Sequence, residues 1–197
     1  SKYSYGYSKH SFPLSMGPFK GRVMAKMPER GDVAVFVGPF DPETNYIKRV
    51  IGFPGDRIQM KEGILHINDN PCPVEAAGTF EDDLWESRQG EGRIRAGDGV
   101  SPRKIPVYIE TLPNGVRHRI LKLQPFGEGV FDDTQEYTVP EGHLFMMGDN
   151  RDESGDSRAL HQIGFVPIEH LVGRAEIIFF STNASGWEVW RWPFAVR

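Results

Sequence analysis

Glycine and proline interrupt this chain too often for long regular elements to form. There are 22 glycines and 15 prolines among 197 residues, and each tends to set a turn or stop a helix or strand. What fits between such interruptions is a series of short strands joined tightly. The apolar pattern agrees. Residues 33–37 form a clean apolar strand, and residues 57–60 and 64–68 alternate about Lys61-Glu62-Gly63 as a hairpin. Residues 105–111 and 116–123 alternate about Pro113-Asn114-Gly115. Residues 137–139, 143–147 and 172–180 read as further strands, and 167–171 as one helical turn. The expected fold is mainly β, with few short helices. Residues 75–91 are acidic and poorly periodic, and the carboxylates of 81–91 read as a solvated loop.

Composition excludes several classes. Hydrophobic residues make up 39%, enough for a core and too few for a membrane-embedded protein. No apolar run reaches the roughly 20 residues a spanning helix needs, and the start lacks the order of a secretory leader. A net charge of −4 argues against nucleic acid, which selects a basic face. Cys72 is the single cysteine, so no intrachain disulfide is expected. His10, His66, His118, His143, His161 and His170 lack ligand spacing, as do the carboxylates of 81–91. No metal or cofactor is therefore expected.

Two stretches carry chemistry. In Tyr46-Ile47-Lys48-Arg49-Val50-Ile51 a lysine interrupts an apolar strand, and Gly52-Phe53-Pro54-Gly55-Asp56 must then turn. If packing removes water from Lys48, its charged form is disfavoured, and a neutral lysine can take a proton from a hydroxyl. The plain alternative is a lysine pointing into solvent. About a hundred residues on, Gly148-Asp149-Asn150-Arg151-Asp152-Glu153-Ser154-Gly155-Asp156-Ser157-Arg158 sets six ionisable side chains into eleven positions, after the apolar Leu144-Phe145-Met146-Met147.

Together these stretches resemble bacterial type I signal peptidase, a membrane-bound serine protease that removes signal peptides from exported proteins. Arg30-Gly31-Asp32-Val33-Ala34-Val35-Phe36 and Val139-Pro140-Glu141-Gly142-His143 add supporting matches in the same order. The resemblance implies a Ser-Lys dyad without cofactor or metal. Lys48 aligns with the general base, and Ser154 with a hydroxyl that orients it. Arg49, Asp149, Arg151, Asp152, Asp156 and Arg158 are expected to form ion pairs that hold Ser154 and the lysine strand in register. Tyr46 and Ile47 match positions bordering pockets that admit small substrate residues, although Ile47 is equally explained as core.

The chain changes character from residue 69 to about 135, with Asn70-Pro71-Cys72-Pro73 as punctuation, and reads as two lobes: residues 1–68 and 136–197 form a catalytic lobe, and 69–135 a smaller inserted β-rich lobe. The family resemblance carries further expectations. It places the nucleophilic serine and the membrane anchor upstream of residue 1, so the 197-residue chain alone is expected not to cleave. Ser15-Met16 reproduces the family's nucleophile dipeptide but lies downstream of the segment, residues 2–7, that the family's serine precedes. The expected partners are signal peptides of exported preproteins, and no nucleic acid. Phe12, Phe19, Trp187, Trp190, Trp192 and Phe194 are expected to touch the membrane interface, where aromatic rings with a polar edge settle, or else to pack in the core. The implied location is the outer, periplasmic side of a bacterial cytoplasmic membrane. Two other classes fit parts of the pattern: a self-cleaving Ser-Lys peptidase, and a non-enzymatic β-fold module that binds peptides or membrane surfaces.

Overall fold

Strands appear where β-branched and aromatic residues gather, and they end at the glycines and prolines. The computed structural model describes residues 26–82, 84–86, 93–95, 101–175, 177–178, 182–183, 186–187 and 194–195. In chain order come β1 (Val33–Val37), β2 (Asn45–Gly52), β3 (Arg57–Lys61), β4 (Ile64–Ile67) and β5 (Asn70–Pro71). Then follow β6 (Val74–Asp82), β7 (Leu84–Glu86), β8 (Arg93–Arg95), β9 (Arg103–Thr111) and β10 (Arg117–Leu121). The chain continues through β11 (Tyr137–Thr138), β12 (His143–Met147), β13 (Val166–Pro167), a single 3-10 turn (Ile168–His170) and β14 (Leu171–Arg174). Four short strands close it: β15 (Ile177–Ile178), β16 (Thr182–Asn183), β17 (Gly186–Trp187) and β18 (Phe194–Ala195). The fold is mainly β, as the punctuation requires.

Three sheets organise the described residues. The largest has the order β13-β12-β2-β1-β14, the second β11-β3-β4-β5, and the third β10-β9-β6. β2 and β12 pair antiparallel at the centre of the first sheet. Both faces of this central pair are covered. Val50, Leu144 and Met146 pack with Phe36, Ile163 and Leu171 on one side. Ile51, Phe145 and Met147 pack with Ile58, Met60 and Leu65 of the hairpin on the other. This explains why Leu144-Phe145-Met146-Met147 is continuously apolar: a strand buried on both faces has no polar side to show. Cys72 and Leu112 join the second of these clusters, so the 69–135 segment shares a core with the hairpin.

Two elements differ from the sequence reading. Residues 74–82 are a strand, paired with β9 and broken by a bulge between Ala76 and Thr79, where Gly78 has φ 100°. It occupies an edge of the third sheet with nearly every side chain exposed, so no face is buried and no alternation is written into it. The strand expected over 172–180 instead begins at Leu171 and ends at Arg174, and Ile177–Ile178 pairs separately with β18.

Candidate functional site

The centre of the first sheet delivers Lys48. β2 pairs with β1 from Asn45 to Arg49, Ala34 opposite Lys48, and with β12 from Arg49 onward, where Met147 is opposite. At Gly148 the chain leaves the sheet, and residues 148–158 fold back beside the lysine. Lys48 Nζ donates to Ser154 Oγ at 2.7 Å. The lysine is half-buried and Ser154 is buried. Burial disfavours the ammonium and is the largest influence on it; Asp156 and Asp149 oppose this, and Arg158 reinforces it. The net effect lowers the Lys48 pKa from its ordinary value.

Gly148 makes the approach possible. A Cβ there would lie 2.0 Å from Ser154 Oγ and 2.5 Å from its Cβ, and 3.4 Å from Lys48 Nζ. No real side chain tolerates such contacts, so the returning loop can seat Ser154 only against a glycine.

The loop holds its shape through buried charge. Asp156, fully buried, accepts from Gly148 N at 3.0 Å and from Arg158 Nε and Nη2 at 2.9 and 2.8 Å. Arg158 Nη2 also donates to the Arg151 carbonyl at 2.8 Å, which closes the loop on itself. Ser157 ties the loop to β12: its N–H reaches Met146 O at 3.0 Å, and its hydroxyl accepts from Met146 N at 2.8 Å. Arg49, beside the lysine, forms a two-point pair with Asp149 at 2.8 and 2.7 Å and donates to Gly31 O at 2.7 Å.

The remaining three charges of the block turn outward to the third sheet, Glu153 reaching Arg103 of β9 at 3.1 Å. Arg151 makes a two-point pair, 2.9 and 2.6 Å, with Glu110 of β9, and both are buried. Burial opposes the Glu110 charge, but Arg151 and the neighbouring His118 outweigh it and hold the carboxyl at about 2. His118 of β10, opposite Glu110 in register, has Nε2 3.3 Å from Glu110 Oε2. Asp152 pairs with Lys122, just past β10, and accepts from Leu123 N and Gln124 N. Backbone bonds add to this: Leu121 N donates to Asp149 O at 2.8 Å, and Arg151 N to Leu121 O at 3.0 Å.

All six charged residues singled out from the sequence thus stand in ion pairs. Arg49–Asp149 and Asp156–Arg158 are internal to the two motifs. Arg151 and Asp152 instead use Glu110 and Lys122, which the sequence reading passed over. One signal was available: in Arg117-His118-Arg119-Ile120-Leu121 the histidine shares its side of the strand with the core residue Ile120. Tyr46 is half-buried and packs on Phe36 with ring centroids 5.9 Å apart. Ile47 is 60% exposed, which removes its reading as a core residue. Phe12, Ser15, Phe19, Trp190 and Trp192 lie outside the described residues. For Trp187 and Phe194 only the backbone, in β17 and β18, falls within them.

The family model described as signal peptidase, peptidase S26, matches residues 1–180. Signal peptidase I of Rickettsia akari (strain Hartford) is 40% identical over 194 residues, which cover 95% of this chain and 66% of that protein. Its counterpart in Rickettsia typhi (strain ATCC VR-144 / Wilmington) is 42% identical with the same coverage. A crystal structure of a signal peptidase I from Enterococcus faecalis V583 superimposes with a TM-score of 0.39 at 24% identity, over 76% of this chain and 97% of that one. The chain belongs to the signal peptidase family, peptidase S26. It spans just under two thirds of the length of the Rickettsia akari relative, 66%.

Proposed function

We propose that the full-length protein is a serine endopeptidase that removes signal peptides from exported proteins at the outer side of a bacterial cytoplasmic membrane. Lys48 is its general base and Ser154 the hydroxyl that aims the base. The carrying observation is the 2.7 Å contact between a half-buried lysine and a buried serine in a chain of this family. A neutral amine keeps one lone pair and two N–H bonds. With one N–H given to Ser154 Oγ, the lone pair points away from the loop toward a serine nucleophile, whose proton it takes and later gives to the leaving amine. Arg49, Asp149, Arg151, Asp152, Asp156 and Arg158 keep the two halves of the site in register.

Substrate binding follows the same sheet. β12 pairs with β2 only from Arg49 onward, while Ile47 points out, exposed, two positions earlier. An extended signal peptide adding itself as a strand would meet Tyr46 and Ile47, whose bulk favours small residues at the first and third positions before the cut. In this reading residues 69–135 are an insert that supports the catalytic lobe.

The test is Lys48→Ala in the full-length protein with a signal-peptide substrate bearing Ala at those two positions. Cleavage should fall by roughly 10³-fold or more, since base and nucleophile act as a unit. The rate of the unmodified protein should rise with pH as Lys48 loses its proton, with a midpoint below the ordinary lysine value. Near-normal cleavage by Lys48→Ala would remove the base assignment.

A further inference from the structure

The loop carrying Ser154 is gripped from outside by a lysine that the proposed chemistry does not use. Lys122 is 2% exposed, a rare state for a lysine unless it is paired. Its Nζ lies 2.5 Å from Asp152 Oδ1 and 2.9 Å from Asp132 Oδ2, with the Phe126 ring centroid 5.8 Å away. Both carboxylates are pinned by backbone. Asp152 Oδ2 accepts from Leu123 N at 2.6 Å and Gln124 N at 2.8 Å, and Asp132 Oδ2 from Gly127 N and Gly129 N at 2.9 and 3.0 Å. A Cβ on Gly129 would stand 2.6 Å from Asp152 Oδ1 and 2.8 Å from Lys122 Nζ, so the wall beside the ammonium is backbone.

We infer that Lys122 is a positioning residue for Ser154, acting through Asp152 two positions earlier to hold the serine hydroxyl against Lys48. The inference rests on the proposed Lys48–Ser154 chemistry. Ser154 sits in a loop without regular structure. From its far side the loop is fixed by Asp156 and Arg158; from its near side the side-chain grips are Arg151 on Glu110, Asp152 on Lys122 and Glu153 on Arg103. The Glu153 pair is exposed, where an ion pair holds little, so Asp152 is the nearest buried grip to the serine. Removing the ammonium leaves two buried carboxylates facing each other with no cation between them. Such a site relieves itself by moving a charge toward water, and Asp152, whose side chain is 7% exposed against 1% for Asp132, is the one nearer solvent, so the loop that carries it is the part that moves. Ser154 then leaves Lys48, and water enters beside an amine that also faces Asp156, Arg158 and Asp149.

The experiment compares Lys122→Met, Asp152→Asn and the double variant in the full-length protein, with the same signal-peptide substrate across pH. Each single variant should lower kcat about tenfold or more with KM nearly unchanged, the pattern of a lost transition-state arrangement. The acid limb of the profile should move to higher pH, because a rehydrated Lys48 holds its proton more tightly. The double variant should be no worse than the poorer single one, since both remove the same link. An unchanged kcat, a fall with the acid limb unmoved, or additive losses would each overturn the inference. If neither single variant folds, the contact is a requirement of folding rather than of positioning, which overturns it too. Lys48→Ala run alongside separates the two readings. Inactive Lys48→Ala beside unaffected Lys122→Met removes only Lys122's role, whereas active Lys48→Ala removes both.

Discussion

At Gly148 a missing side chain is what lets two others meet. The chain must leave β12 and return past Lys48 within a few residues, and the space a Cβ would fill is occupied by the Ser154 hydroxyl. Gly148→Ala therefore forces Ser154 or the strand to shift, an overpacking that costs about 1–3 kcal/mol. The fold should survive, because the sheets do not depend on that atom. Cleavage by the full-length protein should fall by about one to two orders of magnitude. Circular dichroism together with the kinetics checks this. A fully active Gly148→Ala would mean the Lys48–Ser154 contact is not needed. The lysine and the loop were legible in the sequence because each is a contiguous run whose composition is unusual for its setting: a cation in an apolar strand, and six charges in eleven positions. Gly148 was legible only as a member of the motif, since a steric exclusion has no signature until the returning chain is in place.

The elements of the third sheet act on the site through two buried charges, and these were the hardest part to read. Glu110 and Lys122 each stand alone among alternating residues, where a charged side chain ordinarily marks the solvent face. Their partners, Arg151 and Asp152, lie 41 and 30 residues away, beyond the reach of any local pattern. In β9 the buried positions run Ile105, Val107 and then Glu110, so the alternation itself slips just where the glutamate turns inward. The hairpin and the central strands, by contrast, were plain, because their alternation or continuous apolarity follows directly from one or two covered faces. The Glu110–Arg151 pair has a consequence for acid stability. Glu110 is held at about 2 in the folded chain against an ordinary glutamate value near 4.3 when unfolded. Its contribution is therefore complete above the unfolded value and is lost as pH falls from there toward about 2. By linkage that is on the order of 3 kcal/mol. Denaturant unfolding at pH 7 and pH 3 should show the loss, and Glu110→Gln should be weaker at pH 7 and show less of this loss. A variant as stable as the parent at pH 7 would contradict the pairing.

For the whole molecule, among the described residues no helix is long and apolar enough to cross a membrane. The proposed reading assigns this chain a membrane-facing surface. Phe12, Phe19, Trp187, Trp190, Trp192 and Phe194 are the residues proposed for that surface, because ring systems with a polar edge favour the bilayer interface. Vesicles should carry the 197-residue chain upward in a flotation gradient and retain less of a Trp190→Ser, Trp192→Ser variant. Equal flotation of two folded proteins would remove the patch.

The distance along the chain between Lys48 and the serine that holds it has its own consequence. Lys48 and Ser154 are 106 residues apart in sequence, and the third sheet, whose charges grip the serine loop, is made entirely from the chain between them. Closing so long a loop cannot be an early, local event. A polypeptide still emerging from the ribosome can fold the β1–β2 and β3–β4 hairpins while its lysine has no Ser154 beside it. The order of synthesis thus keeps the site unassembled until most of the chain has been made; under the proposed function, a nascent chain could not cleave itself or its neighbours with a half-built site.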